Sequence, residues 1–199
     1  MKFFVNFLSG FRIVAAFLII PTLMFQWYWC SLILFVLAAA SDWFDGFLAR
    51  KYDVCTKLGG VIDHIGDKLL VANTLIMLAV MMPVWFVVVP TIIMIARELY
   101  ISGLREFLGT QKMEMPVPHD RFSLGKVKTA CQMITITAFL ALFTFSRFIT
   151  PETISRTYLI TLNTLSQIGI IGMWTSLVFS IWSATQYTRT FVSKINKLK

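Results

Sequence analysis

Four aspartates within a short stretch of the sequence have the spacing of a metal site. Asp42 and Asp45 stand three residues apart, and Asp63 and Asp67 stand four residues apart. Residues three or four apart lie on one face of a helix, so each pair presents two carboxylates to the same side. Four converging carboxylates repel one another, and hard divalent cations with oxygen ligands relieve that repulsion. The pattern predicts that the four aspartates bind Mg²⁺ or Mn²⁺, as a pair of ions suited to a phosphoryl displacement.

Small residues accompany both aspartate pairs. Gly46 and Ala49 follow the first pair on the same helical face, and Gly59 lies one turn before the second pair. Because no bulky side chain stands at these positions, a nucleotide diphosphate can lie close to the helices. The guanidinium of Arg50 can neutralise a phosphate group. The stretch therefore favours a phosphate-containing substrate over a purely structural role for the aspartates.

The elements that carry these residues are predicted to be membrane-spanning helices. The chain of 199 residues is 57% hydrophobic and 14% charged, which is more apolar than one soluble core of this length needs. Six apolar runs, each near the roughly 20 residues that cross a bilayer as helix, occupy residues 11–28, 31–47, 69–89, 91–108, 129–145 and 158–182. We therefore predict an all-α polytopic membrane protein with six transmembrane helices in a single domain, residues 1–199.

The basic residues predict how the chain is oriented in the membrane. Of the 18 lysines and arginines, Arg147 and Arg156 fall on one side of the predicted spans, and the other 16 fall on the opposite side. Because positive residues favour the cytoplasmic side, both termini are predicted to be cytoplasmic. The net charge of +8 is spread over separate loops. This spread indicates orientation and contact with anionic membrane lipid, and it argues against nucleic acid as a partner.

The aspartate stretch also matches a known signature. From Asp42 to Asp67 it reads Asp-x-x-Asp-Gly-x-x-Ala-Arg, then eight residues, then Gly-x-x-x-Asp-x-x-x-Asp. At every specified position it resembles the CDP-alcohol phosphotransferase family. The resemblance implies a homodimeric membrane enzyme with its active site open to the cytoplasm, a divalent metal pair and CMP as leaving group. It assigns the metal to the four aspartates, the catalytic base to Asp67, and the CDP-lipid to Asp42, Gly46, Ala49, Arg50, Thr56 and Gly59.

Further motifs predict the acceptor alcohol. Residues 6–12, 96–106 and 125–129 resemble members of this family that use CDP-diacylglycerol and glycerol 3-phosphate in the bacterial inner membrane. The phosphate of such an acceptor must be held by cations. A charge at Arg97, roughly 17 Å from the end of its span, needs a partner. The predicted acceptor-binding residues are Arg97, Arg105, Lys126, Lys128 and Thr129.

Several alternatives stay open at this point. Arg105 and Lys126 are also explained as basic side chains that extend to the membrane interface, and Glu98 and Glu106 are possible structural partners of the basic residues. His64 stands where the family members that use glycerol 3-phosphate have proline. Either histidine leaves the backbone conformation similar at this position, or its side chain contacts a substrate phosphate. Another acceptor, such as phosphatidylglycerol in cardiolipin formation, would use the same chemistry. A divalent-cation transporter is the alternative from another class, although its carboxylates are expected near the midplane of the membrane.

Overall fold

The fold is built from helices alone in the part of the chain that the structure describes. This computed structural model describes the backbone of residues 2–52, 57–110, 124–147 and 155–196, with side chains at 10–41, 61–62, 64–110, 127–147 and 155–196. In chain order the helices are α1 (Lys2–Met24), α2 (Tyr28–Tyr52), α3 (Lys57–Met81), α4 (Trp85–Thr110), α5 (Leu124–Ser146) and α6 (Arg156–Ile195). Every element in the described residues is a helix, so the predicted all-α class is confirmed.

The apolar character of the helices identifies an integral membrane protein. Four stretches are long and apolar enough to cross a bilayer: His64–Met81, Trp85–Thr110, Val127–Ser146 and Arg156–Ile195. In α1 and α2 the apolar stretches with described side chains are shorter, at Gly10–Met24 and Tyr28–Ser41. The number of six spans and the cytoplasmic position of both termini stay predictions.

The boundary between the third and fourth helices differs from the predicted span at 69–89. Helix α3 ends at Met81 and α4 begins at Trp85, with Pro83 between them. The apolar run continues through this turn because Met82 and Val84 are themselves hydrophobic. Hydrophobicity therefore does not mark the turn, whereas Pro83, which has no N–H to donate, does. Helix α3 also begins earlier than its apolar run, at Lys57, so it carries the second aspartate pair.

The helices form a closed ring around the core. Helix α1 packs against α2 and α3, α5 packs against α2 and α6, and α4 packs against α3 and α6. Helices α3 and α5 also touch across the ring, and α2 contacts α3 less extensively than either contacts α1. Four helices, α3 to α6, thus come together on one side of the ring, where the polar residues of the next section lie.

Two close interhelical contacts show how the ring is held together. The Asn73 side chain on α3 donates from Nδ2 to the Ala16 carbonyl oxygen on α1 at 2.8 Å. A Cβ placed on Gly169 of α6 would lie 2.8 Å from the Phe139 ring of α5. Because only glycine fits there, α5 and α6 approach more closely than larger residues would allow. Small residues and buried polar bonds thus fix the spacing of the helices in this protein.

Candidate active site

A cavity of about 310 Å³ lies among α3, α4, α5 and α6. Its charged lining residues are Asp67, Lys68, Arg97, Glu98, Arg105 and Lys128. Helix α3 supplies the first two, α4 the next three and α5 the last. Four cations therefore face two carboxylates across one small volume. Such an excess of positive charge suits the binding of a phosphate group.

Glu98 is the centre of the cationic cluster. Its Oε1 atom accepts a hydrogen bond from Arg97 Nη1 at 2.7 Å and another from Lys128 Nζ. Its Oε2 atom lies 3.9 Å from Lys68 Nζ. Lys68 Nζ also donates to Ser102 Oγ at 2.6 Å. One carboxylate thus joins three cations that come from three different helices.

Arg97 is tied to α6 as well as to Glu98. Its Nε donates to the Ser180 carbonyl oxygen at 3.1 Å, and its Nη2 donates to Ser183 Oγ at 2.8 Å. The side chain is only 10% exposed. The expectation that a charge at this depth needs a partner is confirmed. Because a guanidinium has five N–H donors, three of them are engaged by protein groups and two stay available to a ligand.

Arg105 lies two turns further along α4 and uses an aromatic partner from α6. Its Nη2 donates to the Tyr187 hydroxyl at 2.9 Å, and its guanidinium carbon lies 5.1 Å from the centre of the Tyr187 ring. A cation held over an aromatic ring keeps its charge while its position is fixed. Arg105 lines the cavity rather than simply extending into solvent.

Two of the three predicted acceptor-binding residues on α5 line the same cavity. Lys128 and Thr129 both line the cavity, and Lys128 is 7% exposed. Lys126 lies in the first turn of α5, and its side chain is outside the described residues. The structure therefore gathers Arg97, Arg105, Lys128 and Thr129 around one cavity.

Of the four predicted metal ligands, Asp67 is the one whose side chain is described. It is half-buried and lines the cavity. The side chains of Asp42, Asp45 and Asp63 lie outside the described residues, although their backbones lie within α2 and α3. Among the described side chains, no group of three metal-ligating residues occurs.

The path of the backbone is compatible with a divalent cation bound near Asp67. The spacings of three and four residues fall within continuous helices, so each pair of aspartates shares a helical face. Helices α2 and α3 are in contact. A donor set made only of carboxylates suits Mg²⁺ or Mn²⁺ rather than a softer metal.

The positions predicted for the CDP-lipid are described only in part. Gly46, Ala49 and Arg50 lie in α2 and Gly59 lies in the first turn of α3, with side-chain positions outside the described residues; Thr56 is wholly outside them. His64 lines the cavity within the unbroken helix α3. The backbone is therefore helical at the position where the family members that use glycerol 3-phosphate have proline.

The contribution of α6 to the site was missed in the sequence. Ser180, Ser183 and Tyr187 meet the two arginines of α4, and Ser176 continues the same stripe deeper in the bundle. These residues are separated by four, three and four positions. The helical spacing that places these four residues on one face of α6 is the signal that the sequence offers, and α6 carries other polar residues, such as Thr164 and Gln167, as well.

Comparison with known proteins places the chain in a family. The sequence pattern of the CDP-alcohol phosphatidyltransferase family matches residues 3–182. The chain belongs to this family and is a membrane transferase of phospholipid biosynthesis.

Individual relatives are similar over most of their length. A "CDP-diacylglycerol--glycerol-3-phosphate 3-phosphatidyltransferase" of Sodalis glossinidius is 35% identical over 185 residues, covering 92% of this chain and 91% of the relative. A protein of the same name from Blochmanniella floridana is 31% identical over 198 residues, covering 97% and 93%. A relative from Arabidopsis thaliana, named "CDP-diacylglycerol--glycerol-3-phosphate 3-phosphatidyltransferase 2", is 34% identical over 189 residues, covering 89% of this chain and 75% of the relative.

Proposed function

We propose that the protein transfers the phosphatidyl group of CDP-diacylglycerol to glycerol 3-phosphate, which yields phosphatidylglycerophosphate and CMP. The observation that carries this proposal is the cavity in which the Asp67 carboxylate shares a small volume with Lys68, Arg97, Arg105 and Lys128. The activity named for the relatives from Sodalis glossinidius and Blochmanniella floridana is the same.

The charge of the cavity favours an acceptor that carries a phosphate. Four cations and two carboxylates leave an excess of positive charge, whereas an uncharged acceptor alcohol would not need it. Arg105, Lys126, Lys128, Thr129 and the two remaining donors of Arg97 are the proposed phosphate ligands. Burial of Lys128 and Arg97 strengthens their attraction for an anion because solvent screens buried charges less.

Asp67 is the proposed general base for the transfer. Its carboxylate takes the proton from the 1-hydroxyl of glycerol 3-phosphate as that oxygen attacks the phosphorus next to diacylglycerol. A new P–O bond forms to glycerol 3-phosphate. The P–O bond of the diphosphate breaks, and CMP leaves with the electron pair. Most of the acceleration comes from holding the two substrates in line.

Divalent metal is proposed as the cofactor, held by Asp42, Asp45, Asp63 and Asp67. When bound, Mg²⁺ or Mn²⁺, as two ions, neutralises charge on the diphosphate and on the departing oxygen. The residues proposed to lie against the nucleotide part of the CDP-lipid are Asp42, Gly46, Ala49, Arg50, Thr56 and Gly59. Gly46, Ala49 and Gly59 carry no bulky side chain, which would let a nucleotide diphosphate lie close to the helices, and Arg50 would offset phosphate charge.

The proposed setting is a bacterial inner membrane, with both termini and the cavity mouth on the cytoplasmic side and two copies forming a homodimer. The distribution of basic residues supports this orientation. Glycerol 3-phosphate is water-soluble and CDP-diacylglycerol is a membrane lipid. An active site near the membrane edge therefore gives both substrates access.

A panel of acceptors tests the proposal. The purified protein is mixed with CDP-diacylglycerol and Mg²⁺, and glycerol 3-phosphate, glycerol, serine, inositol or phosphatidylglycerol is added. We expect a lipid product with glycerol 3-phosphate at a rate at least tenfold above every other acceptor, because the lost phosphate contacts are each worth about 1.5–3 kcal/mol. A preference for phosphatidylglycerol would instead assign cardiolipin formation.

A further inference from the structure

The acidic residue at the centre of the cationic cluster has no part in the transfer described so far. Glu98 is neither near the aspartate signature in sequence nor a donor to phosphate. Yet it touches Arg97 and Lys128 directly and lies within ion-pair distance of Lys68. Cations packed together repel one another, and without a counter-charge long flexible lysine side chains turn towards solvent.

The position of Glu98 is itself fixed from α6. Arg97 Nη1 donates a hydrogen bond to the Glu98 carboxylate. Arg97 Nε donates to the Ser180 carbonyl oxygen, and Arg97 Nη2 donates to the Ser183 hydroxyl. Two of these three bonds reach a neighbouring helix, so the guanidinium is fixed between α4 and α6. The carboxylate is therefore held at a defined place on the cavity wall before any substrate arrives.

Glu98 in turn fixes the two lysines. Lys128 Nζ donates to Oε1, and Lys68 Nζ lies between Oε2 and the Ser102 hydroxyl. A lysine ammonium has three donors, so each keeps donors for a ligand while one is engaged. Lys68 and Asp67 line the same small cavity. A phosphate held by the two lysines is therefore kept next to the proposed base.

We propose that Glu98 is a positioning residue that holds the ammonium groups of Lys68 and Lys128 where they bind the acceptor's phosphate. The inference rests on the proposed function and extends it, because it assigns Lys68 to the acceptor site and gives the carboxylate a role in acceptor binding. Glu98 acts through the lysines and does not touch the reacting atoms.

Glu98→Gln tests the inference, since glutamine keeps the shape of the side chain and removes its charge. We expect kcat/KM for glycerol 3-phosphate to fall at least tenfold, mainly through KM, while kcat/KM for CDP-diacylglycerol at saturating acceptor stays within about threefold. Glu106→Gln is the matched control, because Glu106 is an exposed acid two turns away on the same helix. It is expected to leave both values unchanged.

A double-variant cycle separates positioning from general damage. If Glu98 acts through Lys128, then Glu98→Gln added to Lys128→Met costs much less than Glu98→Gln alone. Equal losses for both substrates, strictly additive losses, or a lower KM for the acceptor in Glu98→Gln would each overturn the inference. If Glu98→Gln does not fold in detergent, the Lys68→Met and Lys128→Met variants test the inference instead. The inference requires that both variants raise the KM for glycerol 3-phosphate at least tenfold.

The two proposals fail in distinguishable ways. If the unmodified protein makes no lipid from glycerol 3-phosphate, the proposed function is wrong. If it does so and Glu98→Gln keeps the same acceptor KM, only the positioning role is wrong.

Discussion

The guanidinium of Arg97 on α4 donates from Nε to the backbone carbonyl oxygen of Ser180 on α6, at 3.1 Å. Ser180 is fully buried, so this bond crosses the interior of the bundle where water does not compete. It joins the wall of the cavity to α6, whose contribution to the site was not predicted from the sequence. Arg97 therefore has a structural task in addition to any contact with substrate.

Replacing Arg97 separates these two tasks. Arg97→Ala is expected to lower kcat/KM for glycerol 3-phosphate ten- to a hundredfold, since one charge-assisted phosphate contact is worth about 1.5–3 kcal/mol. Arg97→Lys keeps the charge but loses the planar fork that reaches Ser180 and Ser183. We expect it to lower the unfolding temperature in detergent as Arg97→Ala does, with a smaller kinetic loss. Unchanged acceptor kinetics in both variants would make Arg97 purely structural.

Asp67→Asn tests the proposed base. Asparagine has a similar shape but neither accepts the proton nor carries the charge that binds a hard cation. We expect near-complete loss of CMP release, with an elution volume and unfolding temperature in detergent like those of the unmodified protein. Substantial turnover by a folded Asp67→Asn protein would show that another group removes the proton.

The metal site is tested at its more distant ligands. Asp42→Asn and Asp63→Asn are expected to raise the Mg²⁺ or Mn²⁺ concentration needed for half-maximal activity at least tenfold, because each removes one of a few anionic ligands. Glu106→Asn is a suitable control, since it removes an exposed acid from α4. Metal titrations that coincide for all of these proteins would contradict the four-aspartate site.

Close packing of α5 and α6 gives a prediction independent of catalysis. Gly169→Ala places a methyl group 2.8 Å from the Phe139 ring and is expected to destabilise the protein by about 1–3 kcal/mol. Phe139→Leu in the same chain should recover part of that loss. Gly103→Ala is the control, because no heavy atom lies within 4 Å of a Cβ there. Thermal unfolding in detergent measures all three, and equal stability of the Gly169 and Gly103 variants would contradict the packing.

The sequence predicted the helices well because the requirement to bury apolar surface in a membrane leaves few other structures. It singled out the cations of α4 and α5 that line the cavity: Arg97 because a charge deep in an apolar span is conspicuous, and Arg105 and Lys128 through the family resemblance. It did not predict the roles of Ser180 and Tyr187, since only the packing of α4 on α6 brings the Ser180 carbonyl oxygen and the Tyr187 hydroxyl to the two arginines. The junction between α3 and α4 is marked in the sequence by Pro83, whereas hydropathy does not mark it.

The cluster of cations around Glu98 likewise depends on helix packing that a single sequence does not reveal. Four neighbouring helices in the ring bring together residues that are far apart in the chain, such as Lys68 and Lys128. The order of helices around a bundle depends on shape complementarity over many side chains. A single sequence therefore offers both Glu98 and Glu106 as possible partners of the cations, and only the packing shows that Glu98 is the carboxylate they share.

The most direct test follows the oxygen of the acceptor. Glycerol 3-phosphate labelled with ¹⁸O in its 1-hydroxyl is incubated with CDP-diacylglycerol, Mg²⁺ and the purified protein. The masses of the products are then measured by mass spectrometry. Direct attack by that hydroxyl predicts full retention of the label in phosphatidylglycerophosphate and unlabelled CMP. No labelled lipid product, or the label appearing in CMP, would contradict the transfer.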